Sequence, residues 1–443
     1  TRHSESHIED AKLNGRISNN MASAQSKRGM YNEARSEYTK ALQIKQGTLE
    51  TLHNAGGGKN DMDKDLISDI ASTFHNIGLL RMKCGESKKA EKAYKQSLSL
   101  RVKKFGVNDI GISSTLNALG GLYYHQHQHD DAFRSYKESL RIWKSHSGKS
   151  DLKTAEYYYN IGLVFYSKGP FIKAMSAVAE CLRIRREHLA GNERLPIASA
   201  LYLLGLIATS LGNYDEALTL LQESLAIRQE FLEQQRDHLL LLNVQVALGI
   251  VHQKRNDFDN AMDCLSVALE GRSHRLGRDH ESVAEVLQAI GVAYTDASEY
   301  QKASTTFEEA LRIRKSSMSS GVDVAETLNA LGLVHFKTGD ADKAIEMCEE
   351  ALGELKEAVE FDHIMVAKVL KNAGDYYQYV EAYDDALEAY SESYRIMTEF
   401  YGKEHVFMSE ILNELGVTRF KKGDYMTSKQ LFTEVSQLLL CVY

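Results

Sequence analysis

Proline is nearly missing from this sequence: only Pro170 and Pro196 occur in 443 residues, so the backbone chemistry leaves long helices uninterrupted. Cysteine is sparse and scattered. Cys84, Cys181, Cys264, Cys348 and Cys441 lie more than 80 residues apart with no CxxC pair, which argues against a disulfide framework and a zinc site and points to a reducing, cytoplasmic compartment. No apolar run approaches the ~20 residues of a membrane-spanning helix; His238 to Leu242 and Leu438 to Val442 are typical of what there is. A cationic excess is absent too, because 53 Lys and Arg against 61 Asp and Glu leave a net charge of −8, and nothing in that balance invites a nucleic-acid backbone. The opening TRHSESHIED has no initiator Met and no apolar signal region, which suggests a fragment or a processed product.

What is present is repetition. An apolar–glycine pair recurs at Gly78, Gly120, Gly162, Gly205, Gly249, Gly291, Gly332, Gly374 and Gly416, with spacings of 41 to 44 residues. Twelve residues after each comes Ala90, Ala132, Ala174, Ala217, Ala261, Ala303, Ala344 or Ala386, with Ser428 in the last unit. Paired small residues at fixed spacing predict two antiparallel helices in close approach. Seven residues after the first glycine a turn is predicted, at Gly85, Gly169, Gly212, Gly339 and Gly423, and at His127, Asn256, Ser298 and Glu381 in other units. Glycine there supplies the left-handed conformation that ends a helix. A compact core stops growing near ~250 to 300 residues, whereas stacked hairpins extend along one axis and escape that limit.

A degenerate first copy places Ala22, Gly29, Ala34 and Tyr38 at the same positions. The sequence therefore divides into an N-terminal segment with a degenerate repeat (1–45), a flexible glycine-rich insert (46–65, around LHNAGGGKNDMDKD) and an array of about nine repeats (66–443). The small-residue pattern, with aromatics at Tyr94, Tyr136, Phe307, Tyr390 and Phe432, resembles the tetratricopeptide signature. The longer period of about 42 residues is similar to the kinesin light chain type, as are second helices ending ALRIRK, SLAIRQ and CLRIRR and the connectors RLGRDHESVAEVL and FYGKEHVFMSEIL. The heptad coiled coil of that family is absent from residues 1 to 20, and the units are more numerous. The fold class expected is all-α, a right-handed superhelical α-solenoid of about ten helical hairpins.

In such a stack the first helix of each hairpin lines the concave face, at offsets −6, −3, +1, +4 and +5 from the glycine. Offset −3 carries His75, Asn117, Tyr159, Tyr202, Gln288, Asn329, Lys371 and Asn413; offset +4 carries Tyr124, Tyr166 and Phe336; offset +5 carries Lys83, Lys254, Lys337 and Lys421. These are the candidate peptide-binding residues. The resemblance implies that Asn117, Asn329 and Asn413 pair with the backbone of a bound peptide, and that aromatics beside lysines hold an aromatic-acidic segment. Glu156, Glu285, Glu326 and Glu410 at −6 place opposing charge on the same surface. The asparagine at +1 that a chaperone-tail carboxylate clamp needs is replaced by residues such as Leu79, Leu163 and Leu333.

Other motifs read as structure. His125 and His129 would share a helical turn only if the helix continued past His127, and no carboxylate or thiol completes a metal set. Gly56-Gly57-Gly58-Lys59 lacks the Ser/Thr and preceding strand of a phosphate loop. Of Tyr157, Tyr158 and Tyr159 at most two share a face, ~100° separating neighbours, and Trp143 reads as packing. No catalytic signature stands outside the repeat grammar, so neither cofactor nor metal is expected. The expectation is a non-catalytic adaptor that binds extended or helical protein segments, with no nucleic acid and no membrane insertion. The alternative is a subunit of a larger complex that docks through its convex face or ends; the final LLLCVY, without a polar cap, favours further sequence or a docked partner.

Overall fold

The computed structural model describes residues 2–54, 61–147, 151–189, 193–232, 238–317, 319–358, 363–403 and 406–442. They are helical almost throughout, and two compact units, Thr1–Leu211 and Gly212–Tyr443, divide the chain. Unit 1 holds α1 (Arg2–Lys27), α2 (Tyr31–Asn54), α3 (Asp61–Lys83), α4 (Ser87–Phe105), α5 (Ile110–His125), α6 (His129–Ser147), α7 (Leu152–Lys168), α8 (Phe171–His188) and α9 (Leu195–Ser210). Unit 2 holds α10 (Tyr214–Phe231), α11 (Leu239–Lys254), α12 (Phe258–Leu276), α13 (Glu281–Asp296), α14 (Tyr300–Ser316), α15 (Gly321–Lys337), α16 (Ala341–Ala358), α17 (Ile364–Tyr379), α18 (Tyr383–Tyr401), α19 (Val406–Lys421) and α20 (Tyr425–Val442). The division falls at the Gly212 turn, inside the stretch 66–443. Of the insert expected over 46–65, helices take 46–54 and 61–65; 55–60, with Gly56 to Lys59, lies outside the described residues.

Each hairpin is closed by the same local chemistry. The turn residue adopts a left-handed conformation whether or not it is glycine: φ is 59° at His127, 58° at Asn256, 61° at Ser298 and 63° at Glu381, against 72° at Gly85 and 89° at Gly339. Five of the first helices open on a capping side chain eleven residues before the glycine, while α15 is capped by Ser320 one residue earlier and Arg194 before α9 makes no side-chain cap. Asp109 and Asp151 accept from the backbone N–H of Gly111 and Thr154. His238, His280 and His363 accept through Nδ1 from the N–H of Leu240, Ser282 and Met365. Each cap satisfies one donor that the first turn would otherwise leave open.

The recurrent glycine serves a ring more than it serves the alanine. A Cβ on Gly78 would stand 2.4 Å from the ring of Tyr94, on Gly291 2.5 Å from Phe307 and on Gly374 2.6 Å from Tyr390, distances that close packing forbids. The ring belongs to the residue sixteen positions on, and Tyr94, Phe307 and Tyr390 are all at most 1% exposed. The alanine contributes its small size, 0% exposed at Ala90, Ala303 and Ala386, and its carbonyl, 3.2 Å from the Cβ position of Gly249 and of Gly332.

Successive hairpins are joined by a side chain twenty-three residues after the glycine, near the end of the second helix. Lys45 Nζ donates to the Asp69 carbonyl and Thr73 Oγ1 at 3.3 and 2.9 Å. Arg185, Arg228, Arg272 and Arg314 donate to the carbonyls of Pro196, Leu240, Ser282 and Asp323 at 2.5 to 2.6 Å. Arg101 binds Asp109 and Ser72, and Trp143 Nε1 donates to the Asp151 carboxylate. The arginines and Trp143 grip the first turn of the next hairpin or the residue that caps it, whereas Lys45 reaches the middle of α3, so at these joints the following odd-numbered helix is oriented from behind.

Candidate interaction surface

Within each unit the odd-numbered helices form the closer-spaced layer: α1, α3, α5, α7 and α9 in one, and α11, α13, α15, α17 and α19 in the other, pack on their next odd-numbered neighbour. This layer presents the offsets singled out above. Its −3 positions interlock with the −2 positions of the following hairpin. Asn160 Nδ2 donates to Asn117 Oδ1 at 2.9 Å, and Asn372 Nδ2 to Asn329 Oδ1 at 3.0 Å. Asn117 also donates to Glu156 Oε1 at 2.9 Å. Part of the hydrogen-bonding capacity expected for a peptide is thus already used between hairpins. Among the described residues Asn413 makes a long 3.4 Å contact with Glu414.

The remaining candidates differ in how much they offer. Lys83, Lys254, Lys337 and Lys421 are exposed, and Lys421 Nζ reaches Gln378 Oε1 at 2.9 Å. Tyr124 bonds Ser167 at 2.8 Å across the hairpin boundary, Tyr166 packs on Phe171 with centroids 5.9 Å apart, Arg185 lies over the Tyr159 ring at 4.9 Å, and Tyr202 is half-buried. Gln288 is buried at 9% exposure with Oε1 unpartnered, so it presents little to a ligand.

Two positions at the same offset are tuned in opposite ways. His75, packed on Tyr94 with centroids 5.8 Å apart, has its pKa pushed down to about 4 by burial and then by the Arg101 charge; its imidazole is neutral at physiological pH. Lys371 is also drawn in, but against the lowering effect of burial its hydrogen bonds to Asp375 and Glu410, at 2.9 and 3.0 Å, raise its pKa. It stays charged and largely neutralised by its neighbours.

The most accessible aromatics lie in unit 2. Tyr379 and Phe420 are 63% and 57% exposed. Tyr379 stands edge-on to Phe336 at 5.2 Å, and Phe336 stacks on Tyr376 at 4.6 Å. Lys337 follows Phe336, and Lys421 follows Phe420. Tyr379 and Phe420 fell at offsets +5 and +4 without being singled out, since nothing in one sequence separates an exposed aromatic from a packed one. Asn160 and Asn372 at −2 were missed because their role shows only when paired with −3 of the preceding unit.

The other motifs are resolved. α5 ends at His125 and α6 begins at His129, so the two imidazoles do not share a helical turn, and among the described residues no group of three or more His, Cys, Asp or Glu could hold a metal. Tyr157 is 2% exposed and accepts from Ser113 Oγ at 2.8 Å. Lys144 donates to the Tyr158 hydroxyl at 2.5 Å. Trp143 is edge-on to Tyr157 at 6.2 Å. Among the described residues no helix is long and apolar enough to cross a membrane. Surface depressions, such as those beside Phe420 and Phe432 and along α4, are shallow and open.

Stacked helical hairpins whose odd-numbered helices carry polar and aromatic side chains define an α-solenoid interaction scaffold. The chain belongs to the tetratricopeptide repeat family, whose model matches residues 69–145, 111–187, 196–273, 240–316, 323–399 and 365–439, with a second tetratricopeptide model over 15–48. No curated protein matches the sequence. Among solved structures, a Rap protein complexed with Competence and Sporulation Factor is 13% identical over 88% of this chain and 99% of that one, with a TM-score of 0.55. The apo quorum sensor NprR from B. thuringiensis is 16% identical over 86% and 100%, also at 0.55. Nearly identical TPR-like repeats of a proposed kinesin light chain of Podosopora anserina are 16% identical over 47% and 98%, at 0.41.

Proposed function

We propose that the chain is a non-catalytic adaptor whose odd-numbered helices hold an extended or helical segment of a partner protein, in a reducing, cytoplasmic setting. The observation that carries this reading is the unit 2 platform of Phe336, Tyr379 and Phe420 with Lys337 and Lys421. Tyr379 and Phe420, more than half exposed beside lysines and backed by the half-buried Phe336, have the composition of a recognition surface, and they favour a segment that carries an aromatic among acidic residues. The half-used amides of Asn329 and Asn413 keep donor and acceptor capacity for a peptide group. A fold-sharing Rap protein is solved in complex with Competence and Sporulation Factor, which supports use of the same architecture for ligand capture. Against catalysis, burial pushes the Cys181 and Cys348 thiols up to about 11 and about 12, far from the thiolate a nucleophile needs.

Fluorescence anisotropy of a labelled peptide with one tryptophan between aspartates tests the reading. Replacing Tyr379 and Phe420 together by Ala is expected to weaken binding at least tenfold, since a central aromatic contributes ~2 kcal/mol or more, and Lys337→Glu to weaken it further, with helicity unchanged. Equal affinity in all variants would remove this platform from the account.

A further inference from the structure

The outer ridge of the even-numbered helices carries opposite charges at equivalent positions in the two units. Counted from each hairpin's glycine, offsets 10, 14, 17 and 25 are Lys88, Lys92, Lys95 and Lys103 on α4, and Asp342, Glu346, Glu349 and Glu357 on α16. All eight side chains are exposed. They fall along one face of each helix, three on successive turns and the fourth two turns further on. α4 holds seven cations against one carboxylate, and α16 six carboxylates against two lysines, in a chain whose net charge is −8. One neighbouring even-numbered helix adds like charge to each patch, exposed Lys137 on α6 and exposed Glu388 on α18, while Arg134 and Asp384 beside them are paired with Asp131 and Lys422.

Much of this charge is uncommitted. Elsewhere on the even-numbered helices exposed ions close i,i+3 pairs, as Arg141 does with Glu138 on α6 and Arg395 with Glu392 on α18. Lys88, Lys92 and Lys103, and Asp342, Glu346 and Glu357, enter no ion pair among the described residues. Like charges aligned on one helix face repel one another, so each ridge carries a small cost that an oppositely charged ridge relieves.

We propose that the α4 ridge of one copy of this chain docks on the α16 ridge of a second copy. The two ridges are different patches, so the contact is heterologous: each bound copy keeps one ridge free, and association either closes a ring or continues as a chain. Charge complementarity supplies orientation and encounter rate more than affinity, and exposed pairs are screened once the Debye length shortens. The association is therefore weak and salt-sensitive, and it leaves the odd-numbered helices free.

Sedimentation velocity of the full chain tests this. At about 20 mM salt the weight-average mass is expected to rise with concentration, and at about 0.5 M to return to the monomer, with at least a tenfold fall in association constant. The triple variant K88E/K92E/K95E and the triple variant D342K/E346K/E349K are each expected to stay monomeric at low salt. Mixing the two variants restores association, because each then offers a ridge complementary to the other; circular dichroism checks that both fold. A wild type that stays monomeric at low salt overturns the proposal. So does association that resists salt, which would locate the contact on exposed apolar residues such as Phe420 and Met426, or a mixture that fails to recover.

Discussion

Within unit 2 the joint between hairpins is made in two different ways. At α12–α13 and α14–α15 it is an arginine. Arg272, 5% exposed, donates to the Ser282 carbonyl, Glu285 and Asn243; Arg314, 3% exposed, donates to the Asp323 carbonyl and Thr327. At α16–α17 and α18–α19 the same position is Leu355 or Met397, 1% and 8% exposed, inside one apolar cluster with Val366, Ala367, Met408 and Ile411. The first solution fixes direction, because a guanidinium fork rewards one geometry, but it leaves Nε of both arginines buried without a partner. The second is non-directional and leaves no such orphan. One fold position therefore accepts either a polar clamp or an oily plug, provided the groups facing it match.

That equivalence can be broken from both sides by denaturant unfolding. Arg314→Ala is expected to cost the most, about 3 to 5 kcal/mol, because Thr327 and the start of α15 lose a buried charged partner. Leu355→Ala is expected to cost about 2 to 4 kcal/mol through the cavity it leaves. Arg314→Leu copies the neighbouring joint and should recover part of the loss, since an apolar group of similar volume removes the desolvation cost as well as the bonds. If Arg314→Leu is as harmful as Arg314→Ala, the two joints are not interchangeable.

How far the sequence carried the reading follows the same division. The glycine period, the left-handed turns at His127, Asn256, Ser298 and Glu381 and the helical class were legible because each is a local demand that repeats. The clamp was not, although the recurring IR of ALRIRK and CLRIRR printed it, because its partner lies in the next hairpin. The asparagine pairs stayed hidden for the same reason. The glycine's true partner was half-legible, and it yields a second prediction. Gly291→Ala drives a Cβ into the Phe307 ring and should cost about 1 to 3 kcal/mol by overpacking. Gly332→Ala meets the Ala344 carbonyl at 3.2 Å, Met347 Cβ at 3.5 Å and the Tyr376 ring edge at an ordinary contact distance of 3.7 Å, Cys348 standing where the close ring would be, and should cost about 1 kcal/mol or less. Equal losses would show that the ring is not what excludes the methyl.

The smallest effect at neutral pH belongs to the charge that accompanies each joint. His75 lies close enough to the Arg101 clamp for that charge to lower its pKa, whereas Lys371 sits at the same offset in a hairpin whose second helix carries Met397 in place of an arginine. A cation at this offset is disfavoured by burial and by the Arg101 guanidinium at His75, and is held by Asp375 and Glu410 at Lys371. The His75 pKa is about 4 folded and 6.5 as an ordinary imidazole, so below about pH 6.5 the unfolded chain takes up a proton that the folded chain refuses. This contribution to stability is intact above pH 6.5, falls as the pH drops toward 4, and stops changing below it. His75→Gln should therefore differ from the parent by a margin that is constant above pH 7 and shrinks or reverses on acidification, read from urea midpoints between pH 7 and 4. Arg101→Met should raise the His75 pKa, so that the loss still begins near pH 6.5 but is smaller and ends at a higher pH than in the parent. A His75→Gln difference that does not change with pH would mean that the imidazole protonates freely in the folded array, and the clamp would then have no electrostatic reach beyond its own hydrogen bonds.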